Sequence, residues 1–111
     1  MIQSAAYPQT VSSVNGLKIS AEALKAELSA AGETRRDLDI LIYGYTPDTE
    51  AYTLAPDETL VVTIRPGEIR ALVRKMSNGE LKKAIFVSGQ GTDEQSMLKS
   101  LAEAIIRLNI E

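Results

Sequence analysis

Apolar residues recur along the chain with two different periods, and these periods predict both strands and helices. Three apolar runs have the composition of buried strands, because they are rich in β-branched, aliphatic and aromatic residues. They are LDILIYGY at 38–45, TLVVTIR at 59–65 and KAIFV at 83–87. AYTL at 51–54, between two Pro-Asp turns, is a candidate for a further short strand.

Two segments carry apolar residues with the helical period. Leu24 and Leu28 share one face of a helix predicted from about residue 20 to 31, with Ser20 as its N-cap. The sequence DEQSMLKSLAEAIIRLNI at 93–110 predicts a second, longer helix. Its apolar stripe comprises Met97, Leu101, Ile105 and Leu108, and is widened by Leu98 and Ile106.

The segment EIRALVRKM at 68–76 is compatible with two structures. As a helix it presents an apolar stripe at positions i, i+3, i+4 and i+7, and Asn78-Gly79 would end it. As a hairpin it turns through SNG into ELKKAIFV, but its alternation is less regular because Lys75 would share a face with apolar residues. The pattern therefore favours a helix over 68–77. The helical stripe consists of Ile69, Leu72, Val73 and Met76.

The order of these elements predicts the fold class. QTVSSVNGLKIS at 9–20 predicts a first hairpin, because Asn15-Gly16 suits the positive φ angles of a two-residue turn. The full order is then ββαβ(β)βαβα. It predicts an α+β fold (an α/β layer) in which about three helices pack on a single mixed sheet of four to six strands. With 111 residues, 44% of them hydrophobic, we expect one globular domain over 1–111.

Composition restricts the chemistry that the chain can perform. Cysteine and histidine are both absent, which excludes disulfides, zinc-thiolate sites and nucleophiles activated by His. Catalysis would have to use carboxylates, Lys, Tyr or Ser, and no cofactor is expected. The first residues do not have the pattern of a secretory signal, and no apolar run reaches 18 residues. We therefore expect a cytoplasmic protein that does not enter a membrane.

The glycine-containing stretch SGQGTDEQSM at 88–97 connects the last predicted strand to the last helix. It lacks the Lys and the third Gly of the phosphate-binding motifs, and its acidic residues would repel a phosphate. Helix capping explains it, with Thr92 as N-cap, Gln95 as the reciprocal residue, and Gly89 and Gly91 allowing the chain to reverse. GQGTDEQSML also resembles the calcium loop of annexin repeats. Those repeats are all-helical, whereas AIFV predicts a strand here, so no calcium ligand is assigned.

A wider resemblance covers residues 14–68. VNGLKI, a helix, DILIYGY, a turn and LAPDETLVVTIRPGE together resemble the β-grasp sulfur carriers. Those carriers act through a C-terminal Gly-Gly, whereas the sequence here ends in RLNIE. The resemblance therefore implies a fold for this part of the chain, and no carrier activity is expected.

Charge is unevenly distributed along the sequence. Residues 65–83 hold six Lys or Arg and two Asp or Glu, in a chain of formal net charge −3. Arg guanidinium groups fit carboxylate and phosphate oxygens, and Arg70 and Arg74 would lie one turn apart on the solvent side of the predicted helix. A solvated helix face is the structural alternative. The candidate binding residues of this basic segment are Arg65, Arg70, Arg74, Lys75, Lys82 and Lys83.

Tyr43, Tyr45 and Tyr52 frame a second candidate site, the loop YGYTPDTEAY at 43–52. Tyrosines can anchor a partner because each offers a large apolar ring and a hydroxyl at low entropic cost. Tyr43 and Tyr45 are two residues apart on a predicted strand, so we expect them on one face of the sheet. Packing on the edge of the core is the alternative. The two carboxylates of the loop are too few for a metal site, and no metal is predicted.

These observations favour a small non-enzymatic binding or adaptor protein that recognises a macromolecule through the basic segment, with the tyrosine loop as a possible second contact. The expected partner is another protein, with an anionic ligand as the alternative. Nucleic acid is less favoured because the chain is acidic overall. A homodimer is expected from the frequency of two-fold homo-oligomers. The other hypotheses are a small-ligand pocket or minimal enzyme using Tyr with Asp or Glu beside Arg65, and a structural subunit of a larger assembly.

Overall fold

The computed structural model of the chain describes residues 10–13, 21–56 and 60–110. Two helices pack on one face of a four-stranded mixed sheet, and a two-stranded sheet packs on part of the opposite face. The elements are β1 (Thr10–Ser13), α1 (Ala21–Ala31), β2 (Leu38–Thr46), β3 (Ala51–Leu54), β4 (Val61–Ile64), β5 (Glu68–Ser77), β6 (Glu80–Gln90) and α2 (Glu94–Arg107). The α+β class and the mixed sheet are confirmed. The single sheet and the three helices are not, because the described residues form two sheets and two helices.

The main sheet has the strand order β1-β2-β5-β6. β1 runs parallel to β2, with α1 between them in sequence, and the other neighbouring strands are antiparallel. β3 and β4 pair with each other in the second sheet, so the run TLVVTIR pairs with AYTL. The predicted Asn15-Gly16 turn and the Ser20 cap lie outside the described residues.

The segment 68–77 is a strand, and the prediction of a helix there is wrong. β5 lies between β2 and β6, and both of its faces are covered for most of its length. Ile69 and Val73 point to the helices, whereas Leu72 lies on the other face. A strand buried on both faces carries apolar residues at consecutive positions, and such a run also satisfies the spacing of a helical stripe.

Two local details explain why this segment forms a hairpin although its alternation of apolar and polar residues is irregular. Asn78 and Gly79 have φ angles of 54° and 81°, which suits a two-residue hairpin turn and places Ser77 opposite Glu80. Lys75 does share a face with the apolar residues of β5, as its pairing with Leu38 implies. It lies near the end of the strand, where its Nζ is 3.9 Å from the Asp37 carboxylate.

The core lies between the helices and the main sheet. α1 contributes Leu24 and Leu28, as the sequence predicts, and α2 contributes the stripe that begins at Met97. Leu108 follows the end of α2 as its C-cap residue and is half-buried. The buried cluster comprises Leu24, Leu28, Leu38, Ile40, Ile42, Ile69, Ala71, Val73, Met97, Leu98, Leu101, Ala102, Ile105 and Ile110.

A β-bulge in β2 redirects its side chains. Ile42 pairs with Ala71 and Gly44 pairs with Arg70, so Tyr43 is an extra residue without a partner in the ladder. Ile42 and Tyr45 consequently both pack toward the helices. The Tyr43 ring lies on the opposite face, where it meets Phe86 edge-on.

The second sheet packs against the main sheet over Gly44. A Cβ atom on Gly44 would lie 2.1 Å from Cδ1 of Ile64 and 3.2 Å from Cγ2 of Thr53. Ile64 is buried at this contact. The β3-β4 sheet therefore covers the part of the main sheet near Tyr43, and no other element of the described chain packs on that face.

Glycines let α2 lie directly on β6. A Cβ atom on Gly89 would lie 2.4 Å from the backbone nitrogen of Leu101, and one on Gly91 would lie 2.5 Å from that of Met97. These glycines therefore serve close packing, whereas the sequence suggested a chain reversal. The backbone N–H of Gln90 donates to Oγ of Ser100 at 3.0 Å, which adds a polar contact between strand and helix.

The capping box of α2 is shifted by one residue from the predicted one. Asp93 is the N-cap, and its carboxylate accepts from the backbone N–H of Ser96 at 2.8 Å. The Ser96 hydroxyl accepts in return from the backbone N–H of Asp93 at 3.1 Å. Thr92 and Gln95 therefore do not form the cap. The backbone N–H of Ser96 is occupied by this local pair, so the loop does not direct it to a ligand.

An ion pair in the α1-β2 loop holds the other end of α2. The Arg35 guanidinium donates to the carbonyls of Ile105 and Leu108, both at 2.6 Å. It also donates to both carboxylate oxygens of Glu33, at 2.8 Å and 3.0 Å. Glu33 is only 2% exposed. Burial raises the pKa of Glu33, but the hydrogen bonds and charge of Arg35 outweigh burial and leave the pKa below its ordinary value.

Candidate binding surface

The face of the main sheet that points away from the helices is only partly covered. We call it the open face, and define it by Leu41, Tyr43, Arg70, Leu72, Arg74, Leu81, Ala84 and Phe86. Phe86 is 51% exposed and Leu81 is 56% exposed, although both side chains are large and apolar. Leu60 of the neighbouring sheet adds a third such side chain. A contiguous apolar surface of this kind is typical of an interaction site.

Two arginines lie within this apolar surface. Arg70 and Arg74 are four residues apart on β5 and therefore point to the same face. Both side chains are half-buried, and both Nε atoms are shielded from solvent without a hydrogen-bond partner among the described residues. Buried donors are normally satisfied, so these two groups are the polar feature of the open face that requires explanation.

The surroundings of the two guanidinium groups differ. Hydrogen bonding with Tyr43 raises the pKa of Arg70, and the Glu68 carboxylate, 3.6 Å from Nε, acts in the same direction against the effect of burial. Arg70 thus has intramolecular partners. The Arg74 side chain forms no hydrogen bond or ion pair with the part of the chain that the structure describes.

Two adjoining concavities follow the open face. A cavity of about 220 Å³ lies between the two sheets, and a shallower groove of about 420 Å³ continues past Arg74. Phe86 borders both, and its ring centroid is 5.7 Å from that of Tyr43. The cavity is lined by Tyr43, Ala55, Leu60, Val62, Arg70 and Phe86, and the groove by Leu41, Pro56, Leu72, Arg74, Leu81, Ala84 and Phe86.

The basic segment does not form one surface. Arg70 and Arg74 share the open face, whereas Lys75 and Lys83 pair with each other across β5 and β6 on the helix side of the sheet. Lys82 is exposed and donates to the Glu80 carboxylate at 3.0 Å. Arg65 is exposed in the turn before β5. The open face therefore holds two of the six predicted basic residues, Arg70 and Arg74.

The three tyrosines are separated as well. The bulge in β2 places Tyr43 on the open face and Tyr45 on the helix side, so the prediction that they share a face is wrong. The Tyr45 hydroxyl lies 3.4 Å from the Glu94 carboxylate, and burial followed by this charge raises the pKa of Tyr45. Tyr52 is exposed on β3 and donates to Glu50 at 3.1 Å. Of the three, only Tyr43 lines the cavity.

Sequence reasoning missed the apolar half of this surface. The sequence pattern assigns Leu72 to the stripe of a helix and gives no binding role to Leu41, Leu81 or Phe86. A signal was present in KAIFV, where Ala84 and Phe86 alternate with Ile85. Both alternating sets are apolar, which indicates that both faces of this strand are suited to contacts.

The described residues contain no group of three or more acidic side chains placed to share a metal ion. No helix among them is long and apolar enough to cross a membrane. Comparison of the chain with protein-family models, with curated proteins and with solved structures found no match in any of the three.

Proposed function

We propose that the protein is a non-enzymatic binding protein that recognises a protein partner on its open face. The recognised segment carries at least one large apolar side chain next to a carboxylate. The apolar side chain contacts Phe86 and Leu81, and the carboxylate accepts hydrogen bonds from Arg74 and Arg70. The observation that carries this proposal is the half-buried Arg74 side chain, whose Nε is shielded from solvent and has no hydrogen-bond partner in the described chain although Asp39 lies opposite it on β2.

Charge complementarity favours an acidic partner segment. An Arg fork binds a carboxylate in two-point geometry, and desolvation by neighbouring apolar side chains strengthens that contact. A partner segment that was only apolar would cover the Arg74 side chain without satisfying its donors, and each unsatisfied donor costs free energy. The open face thus favours acidic over neutral or basic sequences.

The proposal is tested by selecting peptides from a phage-displayed random library on the immobilised protein. We expect the selected peptides to be enriched in Asp or Glu adjacent to Leu, Phe or Trp. A hydrogen bond to a charged group contributes about 1.5–3 kcal/mol, so R74Q should weaken their binding roughly 10- to 100-fold. The matched control is K83Q, which neutralises a cation on the other face of the sheet.

Three results would contradict the proposal. They are a failure to select any binder, a set of binders without acidic enrichment, and equal binding to the R74Q and K83Q proteins. R74Q is preferred to an Arg70 variant because Arg70 also contacts Glu68 and Tyr43, so its loss would affect the fold.

The cavity beside Tyr43 supports a second candidate function, the binding of a small anion with an apolar body. Arg70 and Tyr43 line it together with four apolar residues. At about 220 Å³ it is smaller than most ligand pockets, which hold roughly 300–1,000 Å³. Titration with short-chain fatty acids, followed by the NMR shifts of Tyr43 and Val62, distinguishes this candidate. Saturable shifts at these two residues would support it, and their absence would exclude it.

A further inference from the structure

We propose that β6 is a dimerisation edge, at which two copies of the chain pair antiparallel about a two-fold axis through Phe86. This pairing joins the two four-stranded sheets into one continuous sheet. It uses the backbone edge of β6, whereas the partner segment proposed above uses side chains of the open face, and the two surfaces share Phe86.

β6 is a long strand with one neighbour among the described strands. It spans 11 residues, Glu80–Gln90, and within the described part of the chain it pairs with β5 on one side only. Strands in globular proteins are usually about 5–6 residues long, and edge strands are commonly protected by charges, proline or bulges. Here the charged residues and the bulge are confined to the end near Lys82. Residues 84–88, AIFVS, contain no charge and no proline.

The hydrogen bonds at the end of β6 establish which backbone groups point outward. The N–H of Gly91 donates to the carbonyl of Gly67 at 2.9 Å, and the N–H of Gln90 turns away to Ser100. Because antiparallel pairs alternate, Ala84, Phe86 and Ser88 direct their N–H and C=O groups to the edge. None of these groups has a partner in the described part of the chain.

The two-fold register through Phe86 is self-complementary. Phe86 pairs with itself, and Ala84 pairs with Ser88 of the second copy, which forms about six backbone hydrogen bonds. Ile85 lies opposite Val87 of the second copy, and both are half-buried apolar residues beside the core. Lys83 lies opposite Gly89 of the second copy, so no like charges meet.

The proposed dimer accounts for the exposure of Phe86 in the single chain. Its ring is half-exposed in the single chain, although aromatic rings gain free energy from burial. In the dimer the two Phe86 side chains lie side by side on the joined open faces.

Sedimentation velocity across the micromolar to millimolar range is the first test. We expect a dimer for the wild-type protein and for S88A, and a monomer for S88P. Proline at position 88 removes an N–H that points outward, so the pairing of β6 with β5 is retained. A wild-type monomer at all concentrations would overturn the proposal, as would a dimer of folded S88P.

Cross-linking gives a second test that does not depend on how S88P folds. The chain has no cysteine, so a single introduced thiol can be linked only between copies. In F86C the two thiols belong to residues whose Cα atoms are about 5.5 Å apart in the dimer. In the control L81C they are about 34 Å apart, ten residues along the strand. A short bis-maleimide should link F86C and not L81C, and equal linkage of both would refute the register.

Discussion

Replacement of Arg35 by Met should destabilise the protein by about 3 kcal/mol at neutral pH, although Arg35 lies in a loop and far from the open face. The substitution leaves the Glu33 carboxylate buried without its counter-ion and removes two donors from the end of α2. Breaking a buried ion pair costs about 3–5 kcal/mol. The lower value applies because 29% of the Arg35 side chain is exposed.

The pH dependence separates this mechanism from a simple loss of packing. In the wild-type protein the pKa of Glu33 is lowered, so its contribution to stability is present above the unfolded pKa, about 4.3, and is lost as the pH falls through the folded value. In R35M the charge and the side-chain hydrogen bonds of Arg35 are lost, and only the backbone N–H groups of residues 34 and 35 still oppose burial, so the pKa of Glu33 should rise relative to the wild type. The variant then gains stability relative to the wild type on acidification. We expect the difference in unfolding free energy to decrease to about 1–2 kcal/mol once the pH has fallen below the folded pKa of Glu33, which is the contribution of the lost helix-end hydrogen bonds.

Urea denaturation followed by circular dichroism measures both values. The matched control is R107M, which removes an exposed cation from the last turn of α2 and should cost no more than about 1 kcal/mol. The double variant E33Q/R35M should be more stable at neutral pH than R35M alone, because no unpaired buried charge remains. The reasoning fails if R35M and R107M cost the same, or if the cost of R35M does not change with pH.

Three further changes probe the contacts around α2 and the hairpin turn. G89A should cost about 3 kcal/mol in urea denaturation, because its Cβ would collide with the backbone of Leu101; a cost below 1 kcal/mol would show that the helix can shift. G79A should cost about 1 kcal/mol, since nothing lies within 4 Å of its Cβ and only the positive φ is strained; a larger loss would indicate an unseen contact. D93A should lower the melting temperature at neutral pH. The pKa of Asp93 is lowered by its hydrogen bonds with Ser96, so the difference should vanish as the pH falls through that pKa, and a constant difference would contradict the capping role.

The elements with one buried face were predictable from sequence. α1 and α2 follow the helical period because each has one apolar stripe, and both lie close to the predicted residues. The sequence predicts a helix for β5 because the side of the strand on the open face also carries an apolar residue, Leu72, between two arginines. That side of the strand is where the candidate binding surface lies. The secondary-structure prediction therefore failed at a strand with apolar residues on both sides, whereas a strand with one buried face alternates apolar and polar residues.

The candidate site was only partly predictable for a related reason. Their charge identifies Arg70 and Arg74 as candidates. A separation of four residues corresponds to about one turn of a helix and to two repeats of a strand. They therefore share a face in either structure. Tyr43 and Tyr45 were assigned to one face by strand alternation, and a bulge reverses the alternation between them. Bulges have no strong sequence signal, so the assignment of these side chains required the structure.

This bulge also makes Tyr43 an addition to β2 that the alternation of the strand does not need. Ile42 lies opposite Ala71, Gly44 opposite Arg70 and Tyr45 opposite Ile69. Deletion of Tyr43 would therefore close the ladder into a regular one, and Gly44 and Tyr45 would keep the faces they already occupy. The loss would be confined to the Tyr43 ring and its contact with Phe86. The extra residue thus adds an aromatic ring to the open face without changing which side chains of β2 enter the core.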